Sequence, residues 1–370
     1  MSTMKALVTI EGHKAAVKEV PIPVPGEGEI LVKVHYAAQN PTDWKAVAAA
    51  TPGKVVGCDF AGTVYNANGS SWREGQRVSG FVQGTTNRGA FAECVVIEAS
   101  LVYPVPDSVS YQDAAVIPLA FATAAQALFQ RLSLPEPSKP AKSAFPVLIN
   151  GGTSSVGKYA VQLAKRAGLY VIATASKKNH DLVTALGADA VIDYKDADWP
   201  EHVRKLSHDN LQHAFDCISE KETTGQVIKA FSPTKGGHVV CILPRKSKEY
   251  GDEFSKVKIE STIVYTVFAV PLTGAYGIFD NAGESTTQDK AFYENYLNRL
   301  PDKPTRQDKA FWEKYLSQLP EFLEKGTIKP NRVKELGGLD SILEGFKYQA
   351  EGKLSAEKLV YKIAPSQAAL

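Results

Sequence analysis

Short apolar-rich runs separated by turn residues occupy the first 120 positions of the chain. Residues 5–10 and 15–20 are short β-like runs, and residues 29–36 alternate strongly with a period of two, which is typical of a half-buried β-strand. Further strands are predicted at 62–65, 77–81 and 91–97. Because prolines and glycines separate these runs, the pattern predicts an irregular barrel or sandwich.

From about Ala114 onward, strands alternate with helices. A helix is predicted over 118–132, and a strand over 147–150 leads into a helix over 155–167 that ends at Gly168. Later strands are predicted at 169–174, 190–193, 214–218, 237–243 and 259–265, and a helix at 180–186. This alternation predicts a parallel, doubly wound sheet.

The C-terminal part contains an internal repeat. Residues 288–301 recur as 307–320 with ten of fourteen positions identical, inside a helical pattern that spans 293–323. A final strand is predicted at 359–363. Two copies are too few for a solenoid, which needs about three or more. We interpret the repeat as a local duplication that adds a surface helix and a proline-containing connector, with a lid or an oligomer contact as the alternative.

Composition and charge exclude several classes of protein. A chain of 370 residues, 44% hydrophobic and 22% charged, is long enough for two globular domains. The 42 basic and 40 acidic residues are interspersed, and no run of about 18 apolar residues occurs, so neither a nucleic-acid nor a membrane partner is indicated. The four cysteines are far apart and no secretory signal is visible, so we expect a cytoplasmic protein with free thiols.

The turn between the strand at 147–150 and the following helix is the clearest candidate site. A strand, a turn of small residues and a helix in this order bind a pyrophosphate through backbone N–H groups at the helix N-terminus. Gly152 and Gly157 occupy the outer positions of the G-x-G-x-x-G pattern, whereas Ser154 replaces the middle glycine and offers a hydroxyl to the phosphate. The candidate contacts are Gly152, Thr153, Ser154, Ser155 and Val156. A plain βα turn is the alternative.

The residues after the next strand indicate which dinucleotide is bound. NAD enzymes place an Asp or Glu about 20 residues after the glycine turn. Here Ser176, Lys177, Lys178 and Asn179 stand in that region, and none of them is acidic. A hydroxyl and two ammonium groups suit the 2′-phosphate of NADPH, and Tyr194 is expected to close over it. The alternative is that both lysines lie on a solvated loop.

Five segments in order, 40–45 (NPTDWK), 57–62 (GCDFAG), 117–124 (IPLAFATA), 151–157 (GGTSSVG) and 357–360 (EKLV), resemble the medium-chain dehydrogenase/reductase superfamily. The match is closest to its zinc-free fungal branch of ToxD-like proteins and trans-acting enoyl reductases. The resemblance covers nearly the whole chain and implies an α/β fold class. It implies a Rossmann NADPH-binding domain over 126–284 and a GroES-like substrate domain from 1–125 and 285–370, the latter including the duplicated segment 288–320.

The same resemblance assigns residues to the reaction. It implies that Thr42, Asp43, Trp44 and Lys45 lie beside the nicotinamide, with Lys45 and Thr123 as candidate catalytic residues. Lys45 would bind ribose hydroxyls or stabilise an enolate oxygen; the alternatives are a surface lysine and, for Thr123, a hydroxyl bonded to its own helix. Further implied cofactor contacts are Cys241, Ile242, Thr262, Ile263, Val264 and Lys358.

The resemblance also implies where a catalytic zinc would bind. Its ligand positions fall on Asn40, Cys58 and near Leu119, whereas a catalytic zinc normally takes three protein ligands. We therefore expect no metal. Cys58 is expected to be a small buried residue, and Asp59 to make local hydrogen bonds.

Without a metal, a conjugated acceptor is favoured, because the negative charge that follows hydride transfer spreads into an enolate or quinol. We expect NADPH-dependent reduction of an activated C=C bond in a small molecule or acyl thioester, with an acyl carrier or polyketide synthase as the candidate partner. A general quinone or aldehyde reductase and a non-catalytic NADPH-binding protein are the alternatives.

Overall fold

The computed structural model describes residues 2–48, 50–269 and 305–363. The chain divides into two compact units, one of Met1–Leu119 with Tyr265–Leu370 and the other of Ala120–Val264. We call them the β-rich unit and the α/β unit. The domain limits expected from the sequence stay a prediction, and the limit at 284–285 lies outside the described residues.

Strands dominate the N-terminal part of the chain. In order, its elements are β1 (Thr3–Ile10), β2 (Lys14–Pro21), β3 (Glu29–Ala38), α1 (Pro41–Val47), β4 (Asp59–Asn66), β5 (Arg77–Phe81), β6 (Cys94–Glu98), β7 (Val102–Pro104), α2 (Tyr111–Ala115) and α3 (Pro118–Ala125). The short β-like runs in the sequence therefore predicted most of these strands. It missed α1, whose seven residues are too few for a helical period to show.

Strands and helices alternate through the α/β unit. A π-helix (Gln126–Arg131) extends α3, and the unit continues with β8 (Pro146–Asn150), α4 (Ser155–Arg166), β9 (Tyr170–Thr174), α5 (His180–Ala185), β10 (Ala190–Ile192), α6 (Trp199–Leu206), β11 (His213–Asp216), α7 (Lys221–Lys229), β12 (Gly237–Cys241) and β13 (Val257–Ser261). The strands form one parallel sheet in the order β10-β9-β8-β11-β12-β13. The order reverses between β8 and β11, which is the switch point where such sheets bind ligands.

The strand predicted over 259–265 is wrong at its C-terminal end. β13 stops at Ser261, Thr262 and Ile263 follow it, and Val264 begins a 3₁₀-helix (Val264–Phe268). Among the residues that the structure describes, its strand neighbour is β12, which ends at Cys241, paired with Ser261. Beyond that point no described strand lies beside the β-branched run, and β propensity alone does not make a strand.

The C-terminal residues return to the β-rich unit. They form α8 (Arg306–Glu324), β14 (Arg332–Glu335), α9 (Ile342–Ala350) and β15 (Glu357–Lys362). β15 pairs antiparallel with β3, so both ends of the chain contribute to one sheet, ordered β14-β15-β3-β4-β5-β7 with β6 also on β3.

The second copy of the repeat lies in α8. Thr305 caps this helix by accepting a hydrogen bond from the Asp308 N–H, and Trp312, Tyr315 and Leu319 are buried. This copy therefore belongs to the core, and the interpretation of the duplication as an added surface helix stays a prediction. The first copy, 288–301, lies outside the described residues.

Candidate functional site

The turn between β8 and α4 requires glycine at two positions. Gly151 has φ +79°, in the left-handed region where glycine is favoured. A Cβ on Gly157 would collide with the carbonyl oxygen of Gly151, so the first turn of α4 approaches the turn closely only because this residue is glycine. The sequence pattern singled out Gly152 and Gly157 but not Gly151.

Ser154 caps α4. Its hydroxyl oxygen accepts a hydrogen bond from the backbone N–H of Gly157 at 2.9 Å, which satisfies one of the unpaired donors at the helix start. Thr153, Ser155 and Val156 are partly exposed around this helix start. The turn therefore fits a pyrophosphate: backbone N–H groups stand at the N-terminus of a twelve-residue helix, where the helix dipole favours an anion.

A buried polar network fixes the turn and was not found from the sequence. The Thr174 hydroxyl donates to Asn150 Oδ1 at 2.6 Å and accepts from the Gly151 N–H at 2.9 Å. Asn150 Nδ2 in turn donates to Asp216 Oδ1 at 2.8 Å. These side chains stand at the carboxyl ends of β8, β9 and β11, so they join three strands directly behind the turn.

The residues expected to contact a 2′-phosphate follow β9. Lys177 and Lys178 are exposed on a short 3₁₀-helix (Lys177–Asn179). Ser176 is buried and accepts a hydrogen bond from Asn179 Nδ2 at 3.0 Å. Tyr194, at the end of β10, has 49% of its surface exposed and is accessible to a ligand.

Asp193, which the sequence analysis did not single out, also lies at this edge. Its carboxylate accepts hydrogen bonds from the backbone N–H of Lys195 at 3.0 Å and of Lys177 at 3.2 Å. The bond from Lys195, helped by that from Lys177, lowers the pKa of Asp193, which is half-buried. The carboxylate thus fixes the backbone at Lys177, where the segment that carries Lys177 and Lys178 begins.

The nicotinamide-side candidates of the α/β unit are largely buried. Burial raises the pKa of the Cys241 thiol to about 12, and its carbonyl oxygen accepts from the Thr262 N–H at 2.9 Å. The Ile242 N–H donates to Ser219 Oγ at 2.9 Å. Three of the backbone groups expected to bind the carboxamide, the Cys241 C=O and the N–H groups of Ile242 and Thr262, are therefore bonded within the unit. Thr123, Ile263 and Val264 are buried as well.

In the β-rich unit, α1 carries Thr42, Asp43, Trp44 and Lys45. Asp43 Oδ2 accepts a hydrogen bond from the Asn40 N–H at 2.6 Å. Burial raises the pKa of Asp43 to about 7, although that hydrogen bond and the Cys58 thiol oppose the shift. Lys45 is half-buried, with its Nζ 5.5 Å from the centre of the Trp44 ring.

Tyr265 joins this cluster and was missed from the sequence. Its hydroxyl lies 3.1 Å from Thr42 Oγ1 and 3.3 Å from Cys58 Sγ, and its ring packs against Phe81 and Phe268. No motif signals this contact, because 223 residues separate Thr42 from Tyr265.

Lys358 and Asp59 form a buried ion pair. Lys358 Nζ donates to Asp59 Oδ2 at 2.6 Å. Asp59 also accepts from Asn40 Nδ2 at 2.9 Å and from the Leu119 N–H at 2.8 Å. These partners are 19 to 299 positions away, so the expectation of local hydrogen bonds for Asp59 is wrong.

The three positions implied for zinc ligands do not offer a zinc donor set. Asn40 donates its amide to Asp59, and Leu119 has no side-chain donor atom. Cys58 is the one side chain of the three that could ligate zinc, and its thiol is buried, which raises its pKa. The Lys358 ammonium beside Asp59 adds a further positive charge. Within residues 2–48, 50–269 and 305–363, no group of three or more His, Cys, Asp or Glu side chains is arranged to bind a metal.

Comparison with known proteins agrees with both units. Residues 26–107 match the alcohol dehydrogenase GroES-like domain, and residues 155–264 match the zinc-binding dehydrogenase family. The trans-enoyl reductase ACTTS2 of Alternaria alternata is 33% identical over 98% of this chain and 100% of its own length. A zinc-type alcohol dehydrogenase-like protein of Schizosaccharomyces pombe is 36% identical over 97% of this chain and 100% of its own.

The chain belongs to the medium-chain dehydrogenase/reductase superfamily. The resemblance to its fungal ToxD-like branch and the expected fold class, a Rossmann domain with a GroES-like domain, are confirmed. The structure of a quinone oxidoreductase from Coxiella burnetii has the same fold, with a TM-score of 0.70 and 21% identity over 98% of this chain and 100% of that chain. As a member of this superfamily the protein is an oxidoreductase that uses a nicotinamide cofactor. In the described part of the chain, no helix is both long and apolar enough to cross a bilayer.

Proposed function

We propose that this superfamily member is an NADPH-dependent, metal-independent enoyl reductase that saturates the activated C=C bond of an α,β-unsaturated thioester. The similarity to a trans-enoyl reductase over the full length of both chains supports this reaction class. The observation that carries the proposal is the donor set at Asn40, Cys58 and Leu119, which lacks the ligands for a Lewis-acid metal.

A site with that donor set favours a conjugated acceptor. Reduction of a simple carbonyl places negative charge on one oxygen, which a metal or strong donor must stabilise. An enoyl thioester spreads the charge into an enolate, so hydrogen-bond donors and a nearby cation are sufficient. The bound cofactor supplies the hydride. Lys45 is our candidate for the cation, with Thr42 and Thr123 as hydroxyl donors.

The preference for NADPH rests on the segment after β9. Lys177 and Lys178 are exposed there, and Ser176 to Asn179 include no carboxylate that could bind a free ribose 2′-hydroxyl. The carboxylate of Asp193 already accepts two backbone N–H groups. The ammonium groups of Lys177 and Lys178, with no carboxylate beside them for a ribose 2′-hydroxyl, therefore suit the 2′-phosphate of NADPH.

The partner we propose is an acyl carrier of a polyketide synthase, in the cytosol. The name of the relative, a trans-enoyl reductase, is consistent with a reductase that serves a separate synthase. Free thiols suit a reducing compartment: Cys58, Cys94, Cys217 and Cys241 are unpaired and buried.

A panel of acceptors tests the proposal. Purified protein in EDTA is mixed with NADPH and with an enoyl thioester of pantetheine, an enone, a quinone or an aldehyde. The enoyl thioester is expected to give the highest kcat/KM. Reduction confined to quinones or aldehydes would identify a general reductase, and absence of turnover on every acceptor would favour a non-catalytic protein.

A pair of lysine variants links the assay to the site. Lys45→Met is expected to lower kcat at least tenfold, because the cation near the developing enolate is lost. Lys54→Met is the matched control, because Lys54 is a half-buried lysine of the same unit outside the site. Equal kcat in both variants would remove Lys45 from the mechanism.

A further inference from the structure

The ion pair between Lys358 and Asp59 is fully withdrawn from solvent. The side chains are 1% and 0% exposed, and the Nζ–Oδ2 distance is 2.6 Å. Lys358 Nζ also lies 3.4 Å from the carbonyl oxygen of Val116. The ammonium group thus has two acceptors inside the β-rich unit.

The pair connects four distant parts of this unit. Lys358 lies on β15 and Asp59 at the start of β4. Through its two oxygens, Asp59 binds the side chain of Asn40, which precedes α1, and the backbone N–H of Leu119 in the first turn of α3. Two of these bonds end on Asn40 and Leu119, which are among the positions implied for zinc ligands. A charge pair therefore cross-links two of the three positions that the resemblance implies for zinc ligands.

A gain in stability alone does not explain why a buried ion pair occurs at this place. Removing two charges from water costs about as much as their attraction returns, and replacing buried pairs by apolar residues is often neutral or stabilising. A directional, multiply bonded carboxylate does provide exact placement of its partners. Of the groups bound by Asp59, Asn40 lies next to the candidate site. Its backbone N–H donates to Asp43, and the residues that follow it form α1, which carries Thr42 to Lys45.

We propose that Lys358 and Asp59 are positioning residues for the reductase reaction, which fix Asn40 and thereby the orientation of α1 and its side chains. The inference rests on the proposed function. It differs from the role implied by the family resemblance, in which Lys358 contacts the cofactor. An ammonium that leaves Asp59 for a cofactor phosphate would leave a buried carboxylate without its cation.

The test uses single and double variants of the full chain. Lys358→Met and Asp59→Asn each leave one partner of the pair uncompensated, whereas Lys358→Met with Asp59→Asn removes both charges. In the double variant the new amide can still accept from the Leu119 N–H. Its NH₂ group cannot accept from the Asn40 amide, so Asn40 must turn its amide to pair with it, and the placement of the residue before α1 changes in the neutral state as well.

Glu93→Gln is the control for loss of a buried carboxylate. Glu93 is buried in the same unit, accepts a hydrogen bond from the Lys5 N–H and belongs to none of the sites expected from the sequence. For every variant the thermal midpoint, the Kd for NADPH, kcat and KM are measured, with the acceptor that the wild type reduces best.

If Lys358 and Asp59 are positioning residues, the changes in thermal midpoint and in kcat should differ across the variants. Both single variants should lower the thermal midpoint, and the double variant should recover most of that loss because no unpaired charge remains. Its kcat should stay at least tenfold below the wild type while its Kd for NADPH stays within about threefold. Glu93→Gln should lose stability without loss of kcat.

Two results would overturn the inference. A double variant with wild-type kcat would show that the pair serves only folding. A loss confined to NADPH affinity in Lys358→Met would assign the lysine to the cofactor. If the wild type shows no turnover, the proposed function itself is wrong. If the wild type is active and the double variant is equally active, only the positioning role of Lys358 and Asp59 is wrong.

Discussion

Ser154 Oγ accepts a hydrogen bond from the backbone N–H of Gly157 at 2.9 Å, so the residue that replaces the middle glycine of the phosphate-binding pattern is the N-cap of α4. A serine at this position serves two purposes. Its oxygen satisfies a helix donor, and we expect its hydroxyl, which lies beside the Cys217 thiol, to turn towards a bound phosphate oxygen.

Ser154→Asp and Ser154→Asn separate the cap from the anion site. Both residues are good N-caps, so the free energy of unfolding should stay within about 0.5 kcal/mol of the wild type. The added negative charge of Asp should weaken NADPH binding about 10- to 100-fold, because charges this close interact by one to a few kcal/mol. Titration of NADPH fluorescence gives the affinities. Equal affinity in the two variants would mean that the pyrophosphate lies elsewhere.

Lys177 and Lys178 should determine cofactor choice. Replacing both by Ala is expected to lower kcat/KM for NADPH about 10- to 100-fold, the effect of losing one or two charge-assisted contacts, while kcat/KM for NADH changes little. Lys165→Ala is the control, because Lys165 is a surface lysine of the same unit paired with Asp189. If the double variant kept its preference for NADPH, the 2′-phosphate would be recognised by other residues.

Deleting residues 286–304 should leave a folded protein. The deletion removes one 19-residue period and keeps both Thr305, which caps α8, and Trp312, which packs against Phe81. The thermal midpoint is expected to change by only a few degrees.

The complementary deletion, 305–323, is a matched control of equal length. It would place the first copy before Glu324, so that Lys303 and Pro304 stand where Phe322 and Leu323 are buried. We expect a loss of about 3 kcal/mol or more. Equal thermal midpoints for the two deletions would contradict the core role of the second copy.

The acid sensitivity of the α/β unit should involve Glu260. Burial opposes its ionisation, but hydrogen bonds from His238 and Lys258 outweigh this and lower its pKa from 4.5 to about 2. A lowered carboxylate pKa contributes stability that is fully present above pH 4.5 and is lost as the pH falls towards 2. The difference in urea-unfolding free energy between the wild type and Glu260→Gln should therefore shrink between pH 4.5 and 3. A difference independent of pH would contradict the shift.

Local features of the fold were predictable from the sequence. The strands β1, β2, β3 and β5 follow short β-like runs, of which the run at 29–36 alternates with a period of two. The strand, turn and helix around Gly152 follow residue chemistry that acts over a few positions. The strand expected through 265 failed because pairing depends on β12, whose end at Cys241 no local pattern reveals.

The site in the β-rich unit lay beyond local inference. Tyr265 reaches Thr42 across 223 positions, and Lys358 reaches Asp59 across 299. Family resemblance pointed to Thr42 and Lys358, but their actual partners depend on the order of strands in the sheet. Only the folded chain brings those groups within hydrogen-bonding distance.

The ratio of kcat/KM for NADPH to that for NADH, measured with an enoyl pantetheine thioester in EDTA, tests NADPH-dependent enoyl reduction most directly. We predict a ratio of at least about 10², unchanged by EDTA, with the saturated thioester as the product. A ratio near one would contradict the assignment of Lys177 and Lys178 to the 2′-phosphate. Activity abolished by EDTA and restored by zinc would contradict the metal-free donor set at Asn40, Cys58 and Leu119.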